Sequence, residues 1–598
     1  SLRIHCHPRP LRWLRGYETR PESLRLNQIS KMSNLNTKAT AQNTYDAIVV
    51  GSGISGGWAA KELTEKGLKV LMLERGRNVE HIKDYTTAMK KPWEFEHRGR
   101  LSEEQKRTHP VQKRDYPYQE FNESFWVNDL ECPYTEVKRF DWYRGFHVGG
   151  KSLMWGRQSY RFSDLNFEDN AKDGHGIDWP IRYKDLSSWY DYVEKFAGIS
   201  GQVENWPALP DGQFLPPMEM NCVEKSVKKR IEDHYKKERI MTIGRTANLT
   251  VEHGGRGKCQ YRDLCSRGCP FGAYFSTQSS TLPAAVATGN LTLRPYSLVE
   301  KIIYDKETQR ATGVNVIDSE TKENIEYFAK IVFVNGSTLG STFLLLNSTS
   351  DEHPNGLGNG SGELGHNLMD HHFRCGASGR AEGFDDKYTY GRRANGIYVP
   401  RYQNMGNDKR DYLRGFGYQG GASRGNWHAD VAELAFGGDF KDQMTQPGSW
   451  NMGLGGFGES LPYHENRVYI DKTKKDKWGM PVLAMDCEFK DNEQKMRVAM
   501  MNDAAEMLEA AGMKDVQTYD AGSTPGMAIH EQGTARMGKD PKTSVLNKWN
   551  QMHEVKNVFV TDGSCMPSIA CQNPSLTFMA LTARAADFAV SELKKGNL

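Results

Sequence analysis

The chain has 598 residues, 26% of them charged and 38% hydrophobic, which excludes a short peptide and a disordered polyelectrolyte. Its 78 Lys and Arg against 75 Asp and Glu leave a net charge of +3, so general electrostatic binding to nucleic acid or an anionic membrane is not expected. No run approaches the roughly 20 consecutive apolar residues of a membrane helix. The 58 glycines, about 10% of the chain against an average near 7%, fall in short clusters such as Gly51 to Gly53 and Gly145 to Gly150. Such clusters mark tight turns and places where backbone must approach a ligand.

Residues 1–40 carry six Arg and two Lys against two Glu, without the apolar core of a secretory signal. They read either as a targeting extension or as sequence upstream of a start at Met32. Tyr45 to Val50 is a β-branched run ending at glycine, a buried parallel strand. Ser55 to Lys66 follows as a helix and Lys69 to Glu74 as a second strand, so the class is α/β. Residues 80–140 are highly charged and lack a period, and read as surface loops and excursions. Tyr183 to Phe196 has apolar residues at helical spacing. Strands return at 291–294, 299–304, 313–317 and 331–334, closed by a helix from Ser341 to Leu346. Residues 375–490 alternate in short, aromatic and glycine-rich strands, which predicts an antiparallel sheet and a second domain. Glu493 to Ala511 is a long helix, and the chain ends with a strand at 558–560 and a helix from Thr577 to Lys594.

Gly51-Ser52-Gly53-Ile54-Ser55-Gly56 fits the dinucleotide fingerprint between a strand and a helix. Its first glycine permits the turn, the second admits a pyrophosphate, and the third lets helix and strand pack closely. The helix N-terminus supplies partial positive charge to the phosphates. Glu74 closes the next strand, where an acid binds ribose hydroxyls and disfavours a 2′-phosphate. FAD and NAD both remain open at this point.

The rest of the chain separates them. His147-Val148-Gly149-Gly150-Lys151-Ser152 forms a second glycine-rich turn, and His530-Glu531-Gln532-Gly533-Thr534-Ala535-Arg536 stands near the C-terminus. Thr561-Asp562-Gly563-Ser564 and Asn573-Pro574-Ser575-Leu576-Thr577 follow. In this order the motifs, from about Tyr45 to the end, resemble the glucose–methanol–choline (GMC) family of flavin-dependent oxidoreductases. Glu459 to Pro462 and Asn466 to Val468 look like that family's substrate-domain strands.

The resemblance implies a discontinuous Rossmann-type FAD-binding domain and an α+β substrate domain on an antiparallel sheet. Residues 41–370 would form the FAD domain with its excursions, 371–528 mainly the substrate domain, and 529–598 a return to the FAD domain. Gly51, Gly53, Gly56 and Glu74 would hold the ADP half of FAD, and the backbone of Val299 the adenine. His147, Gly149, Gly150 and Ser152 would pass beside the flavin ring. Asp562 and Gly563 would lie near the pyrophosphate and ribityl chain, with Asn573, Pro574 and Thr577 near the pyrimidine side. His530 would be the base that removes the hydroxyl proton, and Asn573 its partner, an amide that orients the alcohol but cannot act as a second base. His147, His371, His372 and His553 fall outside the matching motif and read as structural or surface residues. Met154 stands where some relatives carry a His linked covalently to the flavin, so FAD is expected to be bound noncovalently.

Cys259, Cys265 and Cys269 form the one tight cysteine group among ten cysteines that are otherwise scattered. Zinc with His253 as a fourth ligand, a [4Fe–4S] cluster, a [3Fe–4S] cluster, and a free or disulfide-bonded loop are the readings. The spacing resembles the [3Fe–4S] cysteines of membrane-linked FAD sugar dehydrogenases, and the turn at 147–160 resembles glucoside 3-dehydrogenases. The resemblance therefore implies a sugar or glycoside oxidised at a secondary hydroxyl, C3 being one such position. Electrons would leave through the cluster to an acceptor protein or small partner subunit. A GMC oxidase making peroxide and a non-redox flavoprotein lyase are the rivals. The expected compartment is the cytoplasm, or the periplasm by co-export with a signal-bearing partner.

Overall fold

The computed structural model describes residues 43–389, 391–425, 437–445 and 447–598. The expected extension at 1–40 lies outside them. Thr44–Val50 (β1) is the expected strand, with Ala47, Ile48 and Val49 wholly buried. It leads into Ile54–Glu65 (α1) and Val70–Leu73 (β2), the predicted βαβ unit. Thr135–Glu136 (β3), Ser187–Ala197 (α2), Thr242–Ile243 (β4) and Leu291–Arg294 (β5) come next. A meander of Ser297–Asp305 (β6), Arg310–Asp318 (β7) and Asn324–Val334 (β8) ends in the helix Thr338–Asn347 (α3). The second half supplies Cys375–Ala381 (β9), Ile397–Val399 (β10), Phe416–Arg424 (β11), Trp450–Gly458 (β12), Arg467–Lys475 (β13) and Pro481–Asp486 (β14). Asp491–Ala510 (α4), Lys514–Asp520 (β15), Val558–Val560 (β16) and Ser575–Lys594 (α5) complete the chain.

Among the described residues the strands form three sheets. The first runs β5-β2-β1-β8-β7-β6, and β8 forks: its first half pairs with β7, while Val332 to Val334 pair with β16. β5, β2, β1, β8 and β16 are parallel. Val50 stands opposite both Leu73 and Val334, so these strands finish level. Gly51, Glu74, Asn335 and Thr561 therefore emerge along one carboxyl edge, where ligands of open α/β sheets bind.

The second sheet, β15-β9-β12-β11-β10-β4, is antiparallel as expected. Trp450, Met452 and Leu454 of β12 and Phe416 and Tyr418 of β11 pack with Met496, Met500 and Met507 of α4. By strand alternation Gln419 and Phe457 point from the opposite face. This core also takes Val223, Val227, Ile231 and Met241, so it draws on residues numbered within the 41–370 stretch.

Two expectations change. Residues 80–140 are not simply surface loops: Tyr85, Tyr118, Phe125, Trp126, Tyr134 and Phe140 are buried in a core shared with Val468 and Leu483. Their backbone is mostly short 3-10 turns and irregular segments, so burial comes without a period. Glu459 to Pro462 is a loop rather than a strand. Its amides go elsewhere, Leu461 N donating to Glu493 Oε1 at 3.1 Å, and Pro462 has none to offer a ladder.

Candidate active site

The glycine turns build the first part of the site. Gly51 has φ +94°, and a Cβ there would meet the Asn335 carbonyl oxygen at 2.3 Å. At Gly56 a Cβ would meet the Gly51 carbonyl oxygen at 1.9 Å, so helix and strand touch through bare backbone. Gly53 differs: a Cβ there would meet nothing within 4 Å, leaving its surface open to a ligand. Gly150 packs within reach of Gly53, and Gly149 N donates to Ser52 Oγ at 2.9 Å. The two turns thus share one hollow. Glu74 is buried, and burial raises its carboxyl, while Ser52 Oγ, Ser52 N and Gly76 N donate to it.

The remaining predicted contacts divide. Ser297 N donates to the Glu74 carbonyl, which starts β6 beside the acid; Val299 itself is buried and paired with Val316. Ser152 Oγ accepts from Thr277 N at 3.1 Å. Asp562 accepts from Ser341 Oγ at 2.5 Å and Ser564 Oγ at 2.6 Å, which holds the turn through Gly563. Thr577 is buried with its Oγ1 2.8 Å from Tyr190 Oη, and Pro574 sits at the head of α5. The His147 ring turns toward Phe125 at 5.4 Å, and burial lowers it to about 4. Three buried oxygens in these segments, Asn335 Oδ1, Gln278 Oε1 and Glu531 Oε1, have no protein partner. Open space at Gly53 and unpaired polar atoms in these segments fit a dinucleotide.

His530 is positioned by residues the sequence reading passed over. Asp370 is buried and accepts from Gly526 N at 2.8 Å, Ala528 N at 3.2 Å and His530 N at 3.0 Å, which shapes the loop carrying the imidazole. Ile529 in that loop is held at φ 63°, a left-handed conformation costly for a β-branched residue and typical of functional sites. His371, read earlier as structural or surface, is fully buried with Nδ1 2.8 Å from His530 Nδ1. His371 Nε2 lies 2.5 Å from the Ala570 carbonyl oxygen. On the other side, Asn573 Nδ2 is 3.3 Å from His530 Nε2, and Gln419 Nε2 donates to Asn573 Oδ1 at 2.7 Å. The predicted pair His530 and Asn573 is thus brought together. His372 instead faces the Glu459 carbonyl, and His553 faces Ser544.

Burial, then His371 and the Lys151 ammonium, push the His530 ring well below the usual imidazole range. Lys151 also pairs with Glu531 at 3.3 Å. Burial raises the Asp370 carboxyl to about 8, with Glu531 adding to the effect against the amide donors. Neither His371 nor Gln419 left a periodic or motif signal in the sequence.

The three cysteines line one hollow of about 30 Å³ with Asn248, Leu264 and Tyr274. All three thiols are free. Tyr274 Oη donates to the Leu153 carbonyl at 2.8 Å, tying this loop to the second glycine turn. Among the described residues no group of three His, Cys, Asp or Glu is placed to hold a metal ion. His253, the fourth ligand of the zinc reading, lies with Nε2 2.8 Å from the Lys195 carbonyl instead. No helix among the described residues is long and apolar enough to cross a membrane.

Family models described as GMC oxidoreductase match residues 45–373 and 462–582. The chain is 30% identical to 2-methyl-1,2-propanediol dehydrogenase of Mycolicibacterium austroafricanum, over 92% of this chain and 96% of that one. It is 23% identical to the fructose dehydrogenase large subunit of Gluconobacter japonicus, over 92% and 98% of the two chains. Pyridoxine 4-oxidase from Mesorbium loti shares the fold, with a TM-score of 0.57 at 17% identity, covering 91% of this chain and 98% of that one.

Proposed function

The chain belongs to the GMC oxidoreductases, FAD-dependent enzymes acting on CH–OH donors, and we propose that it is a dehydrogenase of a secondary hydroxyl on a sugar or glycoside, with C3 the first carbon to examine. The observation that carries this reading is His530 Nε2, 3.3 Å from the Asn573 amide. Oxidising a carbinol requires a group that takes the hydroxyl proton, and a neutral imidazole does so at physiological pH. Asn573, anchored by Gln419, orients the alcohol oxygen. FAD, when bound, supplies the hydride acceptor at N5. Gly51, Gly53, Gly56, Glu74, Val299, Asp562, Gly563 and Thr577 would hold it, and Met154 offers no group for a covalent link.

A second substrate reading has specific support: the relative at 30% identity is named for a small diol rather than a sugar. Anaerobic titration with glycosides, free sugars and small diols, followed by NMR of the product, separates the two. Bleaching of the flavin by a glycoside with a keto group formed on its ring supports the first reading. Bleaching by small diols alone overturns it. Oxygen uptake at the rate of turnover would mark an oxidase, and no bleaching by any alcohol a non-redox enzyme.

Cys259, Cys265 and Cys269 would hold a [3Fe–4S] cluster that delivers electrons to an acceptor protein or a small partner subunit. Its support is the sequence spacing of the three cysteines and the one hollow their residues line, set against the finding that among the described residues no three ligands are placed to hold a metal ion. The likeness to a chain named as a large subunit supports the partner. Co-export with such a partner would take the chain to the periplasm, and cell fractionation with and without the partner separates that route from a cytoplasmic location. Protein purified without oxygen is expected to hold about three irons per chain. Iron far below that level overturns the cluster, with zinc in its place marking a structural metal.

A further inference from the structure

We propose that His371 is a positioning residue that holds His530 in the tautomer protonated at Nδ1, so that the lone pair of Nε2 faces the substrate. The inference rests on His530 being the base. A carbonyl oxygen can only accept, so the 2.5 Å contact with Ala570 places the hydrogen of His371 on Nε2. The Nδ1 of that neutral ring is then an acceptor. At 2.8 Å from it, His530 Nδ1 must donate, which leaves His530 Nε2 unprotonated. Asn573 Nδ2 donates toward this atom at 3.3 Å, and a hydroxyl proton would replace that weak contact. The hydrogen-bond directions agree from the Ala570 carbonyl through both rings to Gln419.

The same geometry suits the moment after proton uptake. The His530 imidazolium still donates through Nδ1 to a neutral acceptor, so the charge forms without moving the ring. A protonated His371 would set two N–H groups against each other, and burial, which lowers its pKa to about 4, keeps it neutral. The other charged or titratable groups around His530 are Lys151, Glu531 and Asp370.

The test uses the FAD-loaded enzyme with His371→Leu and His371→Asn, the asparagine offering an oxygen close to the position of Nδ1. Nitrogen chemical shifts of ¹⁵N-histidine-labelled protein report the tautomer directly. Wild type is expected to show an unprotonated Nε2 at His530. His371→Leu should shift that signal toward the other tautomer and slow anaerobic flavin reduction at saturating substrate by at least about 10-fold, below the about 10⁴-fold that a wrong tautomer can cost. KM should change less than the rate, and His371→Asn should recover most of it. Wild-type nitrogen shifts in His371→Leu, with an unchanged rate and flavin content, overturn the proposal. A parallel His530→Ala enzyme keeps the two readings apart. If it reduces flavin normally the base assignment fails, whereas the tautomer assignment stands or falls on the nitrogen shifts.

Discussion

The dinucleotide edge and the histidine site lie in one molecule but are built in opposite ways. The edge is made of backbone: Gly51, Gly53 and Gly56 act through what they lack, and they fall within six residues of one another. The histidine site is made of side chains from four distant places, His371, Gln419, His530 and Asn573, with the two rings 159 positions apart in sequence. Backbone geometry is encoded locally, and at Gly51 and Gly56 it leaves no room for a side chain. The side-chain chain is assembled from segments far apart in sequence and depends on a donor or acceptor of the right kind at each step.

The sharpest break in that comparison is removal of the base. His530→Ala should slow anaerobic flavin reduction by about 10²- to 10⁴-fold with flavin content intact. Stopped-flow absorbance checks it, and a wild-type rate would leave His530 a structural residue. The glycines should divide by a different readout. Gly56→Ala places a methyl 1.9 Å from the Gly51 carbonyl oxygen and should cost about 1–3 kcal/mol of stability, seen in thermal unfolding. Gly53→Ala meets no protein atom and should unfold like the apo wild type while losing affinity for FAD. Equal effects at the two positions would end the distinction between packing glycine and ligand glycine.

The smallest effect concerns pH. The proposed base works in its neutral form, and burial and then the Lys151 ammonium disfavour the imidazolium. Flavin reduction should therefore persist through pH 6.5 and fall only in more acid solution, lower than a free imidazole would dictate. Lys151→Gln removes that ammonium and should move the acid limb upward by a fraction of a pH unit. A limb that moves downward, or stays fixed, would show that Lys151 does not reach the ring.

What the sequence made legible follows the same division. β1, the glycine turn, α1, β2 and Glu74 are contiguous, and each signals its neighbour. The forking of β8 was not legible, because the pairing with β16 lies far downstream. The aromatic residues from Tyr85 to Phe140 were misread because irregular turns give no period, although their number alone exceeds what a surface needs. His371 was dismissed because it sits outside the motif that holds His530. The Ala570 carbonyl holds its far nitrogen, and the loop bent around Asp370 brings His530 to it.

The forked strand β8 also orders events during synthesis. Its upper half, and the Asn335 side chain beyond it, find Thr561 only after 226 further residues have been made. Until then the strand edge next to the glycine turn is half bare, and His530 has no Asn573 to meet. Because long-range pairing of parallel strands closes late, the proposed base and its amide partner meet only after the segment around Asn573 has been made. A chain broken off before that point would carry the nucleotide fingerprint without the proposed histidine–amide pair.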